Sequence, residues 1–286
     1  MLAVSDSLNP PPGVNPNQAS AARVYDYLLG GKDSYKIDRQ VAKDAALVLP
    51  DVVEAARVSR HALSRVCRFL AERAGVRQFV DCGCGLPCRD NVHQIVQRAD
   101  PTAKVVYVDY DPVVAVHVRA RLLDNEFTEF VRADLFDPPS VLGHPTVTGH
   151  LDWTQPIAVL FMLALHHHYE GDRDLPSKVT KEFIDRLPSG SYVAISHLLD
   201  ARDGSEADAA VRDLVESVRH GPMGDVVART RGEIEELFHG LELIPSGPDT
   251  RAGIVPVIDW WPDGPPLDDP AAVAHRIVGV GVGRKP

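Results

Sequence analysis

From residue 78 to residue 200 the chain alternates short apolar runs with helical stretches, each separated by turn-forming residues. Such alternation builds parallel strands joined by right-handed crossovers, with helices on both faces of one sheet. Gln78 to Asp81 is the first run, and it enters Asp81-Cys82-Gly83-Cys84-Gly85. A helix is expected from there to about Ala99, stopped by Asp100-Pro101. Lys104 to Asp109 reads as the second strand. Asp111-Pro112 opens the next helix, with a carboxylate cap and proline in the first turn. Glu129 to Ala133 is the third strand. Ile157 to Leu165 is the most apolar and is expected at the centre of the sheet, buried on both faces. A helix over 176–187 and a strand from Tyr192 to His197 follow.

The flanks differ in character. Residues 1–19 hold Pro10, Pro11, Pro12, Gly13 and Pro16 and read as a mobile tail. A helix beginning at Ser20 ends at Gly30-Gly31, and a second covers 37–48. A longer one follows Pro50, with Asp51 and Glu54 spaced as a capping box and Gly75 at its end. Residues 20–75 are thus expected to form a helical cap, and 76–286 the main domain. Beyond residue 200, helices are expected near 205–220 and 230–239, the second with Thr230 and Glu233 as a capping box. Leu241 to Ile244 and Ile277 to Val282 are the last strands. The Pro-, Gly- and Asp-rich stretch 245–274 is a long connection between them.

Charge narrows the partners. Thirty basic against 40 acidic residues give a net charge of −10, which disfavours a dedicated nucleic-acid binder. No apolar run approaches the roughly 18–20 residues of a membrane span. No basic residue precedes Arg23 and no apolar segment stands there, so a secretory leader is not expected. The four cysteines, three crowded between Cys82 and Cys88, do not resemble a disulfide framework. These features lead to the expectation of a soluble, cytoplasmic α/β protein.

The chemistry concentrates around Asp81-x-Gly83-x-Gly85 and Asp109. A glycine-rich turn after the first strand lets backbone approach a ligand, and an acid ending the second strand can accept both ribose hydroxyls. A dinucleotide turn would want a third glycine where this chain has Leu86-Pro87-Cys88. S-adenosylmethionine has no pyrophosphate to cradle but carries an ammonium and a sulfonium, which suits Asp81 at the strand end. The third strand runs into Asp134 and Leu135, placed to accept an adenine amine and to pack on its ring. Against this, Asp134 could be an ordinary turn acid.

These stretches resemble class I S-adenosylmethionine-dependent methyltransferases, and more narrowly a bacterial S-adenosyl methyltransferase family long classed as a domain of unknown function. The resemblance rests on ARVYDYLLGGKDSY (22–35), FVDCGCGLPCRDNVHQIVQ (79–97), VVYVDYDPVV (105–114), AVLFMLALHH (158–167), GSYVAISH (190–197) and the terminal VGVGVGRKP. It implies a Rossmann-like, seven-stranded, mostly parallel sheet, with the seventh strand inserted antiparallel between the fifth and sixth. It further implies cofactor contacts at Asp81, Gly83, Gly85, Asp109 and Asp134, to which Cys82, Tyr110 and Leu135 are added as neighbours. Cys84 and Cys88 depart from the small or hydroxyl residues expected there. The family leaves the methyl acceptor undefined.

Several features carry two readings. Gly30-Gly31 is either a hinge that lets Lys32, Asp33 and Tyr35 close over the cofactor, with Tyr35 facing the sulfonium, or a helix terminus before an exposed loop. Arg89 either assists the methionine carboxylate at a helix N-terminus or flanks ordinary capping by Asp90. His166-His167-His168 follow the central strand, and His166 or His167 is the candidate general base; His197 is expected to be buried. Cys82, Cys84, Cys88 and His93 lack the paired spacing of a zinc site, so no metal is expected. Trp260-Trp261 either wall the acceptor pocket or anchor the late insertion. The acids Asp26, Asp33, Glu170 and Asp172 are expected on the rim, favouring a small neutral or cationic acceptor. The leading reading is methyl transfer to a small-molecule N, O or C acceptor. The alternatives are a non-catalytic S-adenosylmethionine-binding regulatory module and a nicotinamide-dependent oxidoreductase.

Overall fold

A computed structural model describes residues 10, 13–167, 171–261 and 272–286. His168 and Glu170 lie outside these, as do most of the N-terminal tail and the second half of the late connection. Strands β1 (Gln78–Cys82), β2 (Lys104–Asp109), β3 (Thr128–Arg132), β4 (Ala158–Met162) and β5 (Tyr192–Leu198) pair in parallel. Strands β6 (Glu242–Leu243), β7 (Val255–Pro256) and β8 (Val278–Arg284) follow. The order is β3-β2-β1-β4-β5-β8-β6, with β7 also on β8. β8 is antiparallel between β5 and β6, in the expected arrangement. β7, inside the stretch read as a connection, is an additional strand.

The helices are α1 (Ala21–Leu28), α2 (Lys36–Val48), α3 (Val52–Arg68), α4 (Val92–Ala99), α5 (Pro112–Arg121), α6 (Pro138–Leu142), α7 (Pro145–His150), α8 (Leu175–Arg186), α9 (Glu206–Val218) and α10 (Arg231–Glu236). Successive strand side chains face opposite ways, and the two faces hold separate cores. Phe79, Val105, Tyr107 and Leu160 join one with α3, α4 and α5. Val80, Val106, Val159 and Phe161 join the other with α7, α8 and α10. Both layers are fully buried along β4, as the unbroken apolar run requires.

β8 reads Val-Gly-Val-Gly-Val-Gly. Its valines enter the first core, and its glycines face side chains pressed against the backbone. A Cβ on Gly281 would stand 2.5 Å from Ile254 Cδ1, and one on Gly283 2.7 Å from Phe238 Cδ1. The alternation therefore records a half-apolar, half-spatial constraint on a central strand.

The expected cap over 20–75 is divided. α3 packs on the sheet as part of the first core, whereas Ala19, Val24, Val41 and Ala42 form a small core of α1 and α2 alone. A buried polar network ties this pair down. Arg23 pairs with Asp38 at 2.9 Å and with Asp111 at 3.1 Å. The Ser20 hydroxyl donates to Asp111 at 2.5 Å. Gly30 takes φ +85° at the end of α1, and a Cβ on Gly31 would overlap the Asp26 carboxylate. Both glycines thus have local roles in ending α1.

Other expectations change. Asp51 does not cap α3: its ψ of 20° turns the side chain from the extended geometry a cap needs. Asn91, not Asp90, caps α4, because Asp90 sits at φ +57° and pairs with Arg98. β4 ends at Met162, since Leu163 takes φ +54° and leads into a 3-10 turn over Leu165–His167. α6 and α7 occupy a stretch that reads as loop; each begins with proline, which a first helical turn tolerates.

Candidate active site

The carboxyl ends of β1, β2, β4 and β5 open into a cavity of about 350 Å³ roofed by α1, α2 and α9. Strand ends of parallel sheets gather loops there, where a binding crevice forms. Gly83 and Gly85 turn at φ +76° and +68°. The amides of Gly83 and Cys84 both donate to Val108 O, at 2.8 and 3.1 Å, which pins the turn to β2. A Cβ on Gly83 would meet Ala164 Cβ at 2.9 Å and Leu135 Cδ2 at 3.3 Å. The wall is thus close-packed backbone at this point.

Asp109 stands beside the turn. Its Oδ2 accepts from Gly85 N at 2.9 Å and its Oδ1 from Asp111 N at 2.9 Å. A carboxylate offers about four lone-pair sites, so acceptor capacity remains for a ligand. Burial pushes Asp109 up to about 6, against the lowering effect of the backbone amides. Burial likewise pushes Asp81 up to about 7, with Arg60 opposing and Asp109 adding to the rise. The Asp81 carboxylate makes no hydrogen bond among the described residues. Tyr110 and Asp134 are exposed at the cavity wall, and Leu135 is buried behind Gly83.

A family model described as S-adenosyl methyltransferase matches residues 8–286. The chain belongs to the S-adenosyl methyltransferase family. Its cofactor is S-adenosyl-L-methionine, and the protein is a methyltransferase of that family. A solved candidate methyltransferase from Thermobifida fusca is 37% identical, covering 98% of this chain and 99% of that one, with a TM-score of 0.86. A DUF574 family protein from Streptomyces avermitilis is 33% identical over 94% of this chain and 98% of its own, with a TM-score of 0.84. None of the curated proteins compared matches the chain.

The methyltransferase brings most of the sequence-selected residues together, and separates others. Gly83, Gly85, Asp109, Tyr110, Asp134, Leu135, His166 and His167 all line the cavity. Cys82 does not: period-two alternation turns it into the opposite core, where it is fully buried. Tyr35 lies outside the wall, under the Arg23 guanidinium at 5.2 Å; its backbone is held by Asp38, which fixes it as the start of α2. Arg89 is exposed and off the wall. Arg60, not among the residues expected from the sequence, lines the cavity and donates to Asp90 O at 3.0 Å. Arg60 shares the inner face of α3 with Ala56 and Leu63, and that helical spacing was the available signal.

His166 is buried, with its ring 3.9 Å from that of His167 and 5.7 Å from that of His197. Burial drives His166 well below the usual imidazole range and His167 down to about 4, so both are neutral at physiological pH. His197 is fully buried and off the cavity wall, with Nδ1 against Leu198 O at 3.0 Å. Trp260 anchors the insertion: Arg65 Nε donates to Trp260 O at 2.9 Å, and the ring packs edge-on to Phe69. The expected acidic rim is not formed by the described residues named for it. Asp26 is buried and holds Asp33 N, Asp33 pairs with His117 and Arg121, and Asp172 pairs with Lys178. Among the described residues no group of three His, Cys, Asp or Glu is placed to hold a metal ion, and no helix is long and apolar enough to cross a membrane.

Proposed function

We propose that the protein transfers the methyl group of S-adenosylmethionine to a small molecule in this cavity, as a cytoplasmic bacterial enzyme. The reading rests above all on Asp109, a buried carboxylate bonded to Gly85 N on the cavity wall with lone-pair sites left over. Those sites suit the two ribose hydroxyls. Gly85, where a Cβ would stand in open space, admits the donor closely, while Gly83 lets Ala164 and Leu135 pack against the turn. Asp134 would accept the adenine amine, with Leu135 and Tyr110 against the ring. Asp81, buried just behind the wall and making no hydrogen bond among the described residues, would face the donor ammonium, and Arg60, on the wall, the donor carboxylate. The bound cofactor supplies an already activated methyl group, so the chain contributes alignment and a dry cleft.

The acidic balance and the partly apolar cavity of about 350 Å³ favour a small molecule over a nucleic acid. Asp109→Ala is expected to lower donor affinity by roughly 10- to 150-fold, the worth of about 1.5–3 kcal/mol for a charged acceptor. Calorimetric titration with unchanged affinity would remove Asp109 from the site. Transfer of a tritiated methyl group, offered to pooled metabolites, RNA and DNA, then separates the substrate classes. Salt-sensitive labelling of nucleic acid alone would overturn the small-molecule reading; tight donor binding with no labelled pool would favour the regulatory module.

A further inference from the structure

Away from the glycine-rich turn the cavity wall is apolar, built from Leu28 of α1, Val41 of α2, Leu214 and Val218 of α9, and Met223 and Val226. Val227 N donates to His166 O at 3.0 Å, which sets the 223–226 segment beside the histidine turn. Met223 also packs on the small core of α1 and α2, so this wall spans both layers. His166 faces the same cavity and is buried; its Nδ1 is shut inside the protein without a partner, and its Nε2, which keeps some accessible surface, also makes no hydrogen bond among the described residues. A buried polar atom left without a partner is costly, and a ligand group can supply the missing bond. Two other polar wall groups here are already engaged, while His167, its ring 3.9 Å from that of His166, makes no side-chain hydrogen bond among the described residues. The Tyr25 hydroxyl donates to Ala56 O at 2.9 Å, and Ser196 Oγ accepts from Leu163 N at 2.9 Å. The charged wall groups Arg60, Asp109 and Asp134 belong to α3 and to the ends of β2 and β3.

We propose that this half of the cavity is the acceptor chamber, and that the acceptor is an uncharged, mainly apolar molecule whose hydroxyl donates to His166 Nε2. The proposal rests on the methyl donor occupying the half at Gly83 and Asp109. An alkylamine would arrive as an ammonium ion and require a carboxylate, which the described wall lacks at this end; a carboxylic acid would require a cation. During transfer the hydroxyl oxygen forms a bond to the methyl carbon. The carbon–sulfur bond breaks with its electron pair left on sulfur, and the hydroxyl proton passes to His166 Nε2. One positive charge leaves sulfur as one appears on the imidazole, so the cleft gains no net charge. That exchange makes a neutral, buried histidine workable as the proton acceptor.

Four probes sharing one ring system test this: 2-naphthol, 2-methoxynaphthalene, 2-naphthoate and 2-(aminomethyl)naphthalene. Each is titrated into the full chain with and without adenosylhomocysteine. 2-Naphthol is expected to bind at least about tenfold more tightly than either charged probe, and more tightly than its methyl ether. In His166→Phe the difference between the alcohol and the ether disappears while the ether keeps its affinity; His166→Gln, which retains a hydrogen-bonding group, keeps part of it. Met223→Lys, away from the histidine, abolishes ether binding and serves if His166→Phe does not fold. Equal or tighter binding of a charged probe overturns the proposal, as does an alcohol–ether difference that survives in His166→Phe or ether binding that survives in Met223→Lys. Failure to bind adenosylhomocysteine would instead count against the donor site, because probe selectivity is read in its absence as well.

Discussion

Arg23 of α1 reaches Asp111, the N-cap of α5, at 3.1 Å, and so fastens the roof of the cavity two residues from Asp109. The side chains of Arg23, Asp38 and Asp111 are 5%, 0% and 4% exposed. The position of α1 over the cavity is therefore coupled to the end of β2, which also carries the buried carboxylate of the site.

Removing the cation from this network leaves two buried carboxylates without it. Arg23→Met is expected to destabilise the protein by about 3–5 kcal/mol, the usual loss when one partner of a buried pair is deleted. Urea denaturation measures it, and a loss below about 1 kcal/mol would show the network to be weakly coupled.

Truncation separates the tail from the roof. Deleting residues 1–19 keeps Ser20, Arg23 and all of α1, so donor affinity is expected to hold. Deleting 1–35 removes Tyr25 and Leu28 from the cavity wall along with the Arg23 latch. Donor affinity then falls sharply. Equal affinities for the two truncations, with folding confirmed by circular dichroism, would refute a role for the roof.

Donor binding should depend on pH through Asp109. In the free protein its carboxyl titrates at about 6, and hydrogen bonds from a ribose need the ionised form. Below that pH binding must expel a proton from Asp109, so affinity rises at least about tenfold per pH unit. Asp81, pushed up to about 7, extends the rise until it too is ionised, and Asp81→Asn leaves the Asp109 step alone. The ligand-free fold shows the opposite slope. The stability contributed by the raised Asp109 carboxyl is fully present below its unfolded value near 3.8 and lost as pH rises through about 6. Calorimetry in buffers of different ionisation heat counts the released proton; a flat affinity from pH 5 to 8 would detach Asp109 from the ligand.

Gly281→Ala places a methyl group 2.5 Å from Ile254 Cδ1 in the middle of the sheet. Overpacking of this kind costs about 1–3 kcal/mol. Thermal denaturation should show the loss while donor affinity of the folded fraction stays unchanged. A variant as stable as the natural chain would mean that Ile254 yields freely.

The sheet was legible because β1, β2, β4 and β5 are buried on both faces and so read as unbroken apolar runs between turn residues. The donor half of the cavity was legible for a related reason: glycines and acids at strand ends fall at fixed places in such a sheet. Arg60 was hidden because it lies on a helix before β1, where only its helical face relates it to the cavity. The Arg23–Asp38–Asp111 network joins residues from three helices, and no local pattern announces it. Tyr35 was drawn to the site by its motif, but the nearby Arg23 claims its ring. The histidines could be placed after the central strand, yet only the left-handed turn at Leu163 decides that they enter the cavity from a 3-10 turn.

β8 has a consequence for synthesis as well as for stability. It lies between β5 and β6 but is translated after both. Until residues 278–284 leave the ribosome, β5 presents an unpaired edge, and β6 has no strand to lie against. Nascent chains stalled short of this segment should therefore be the form of the protein most dependent on chaperones, because an open apolar edge invites pairing with any neighbouring strand.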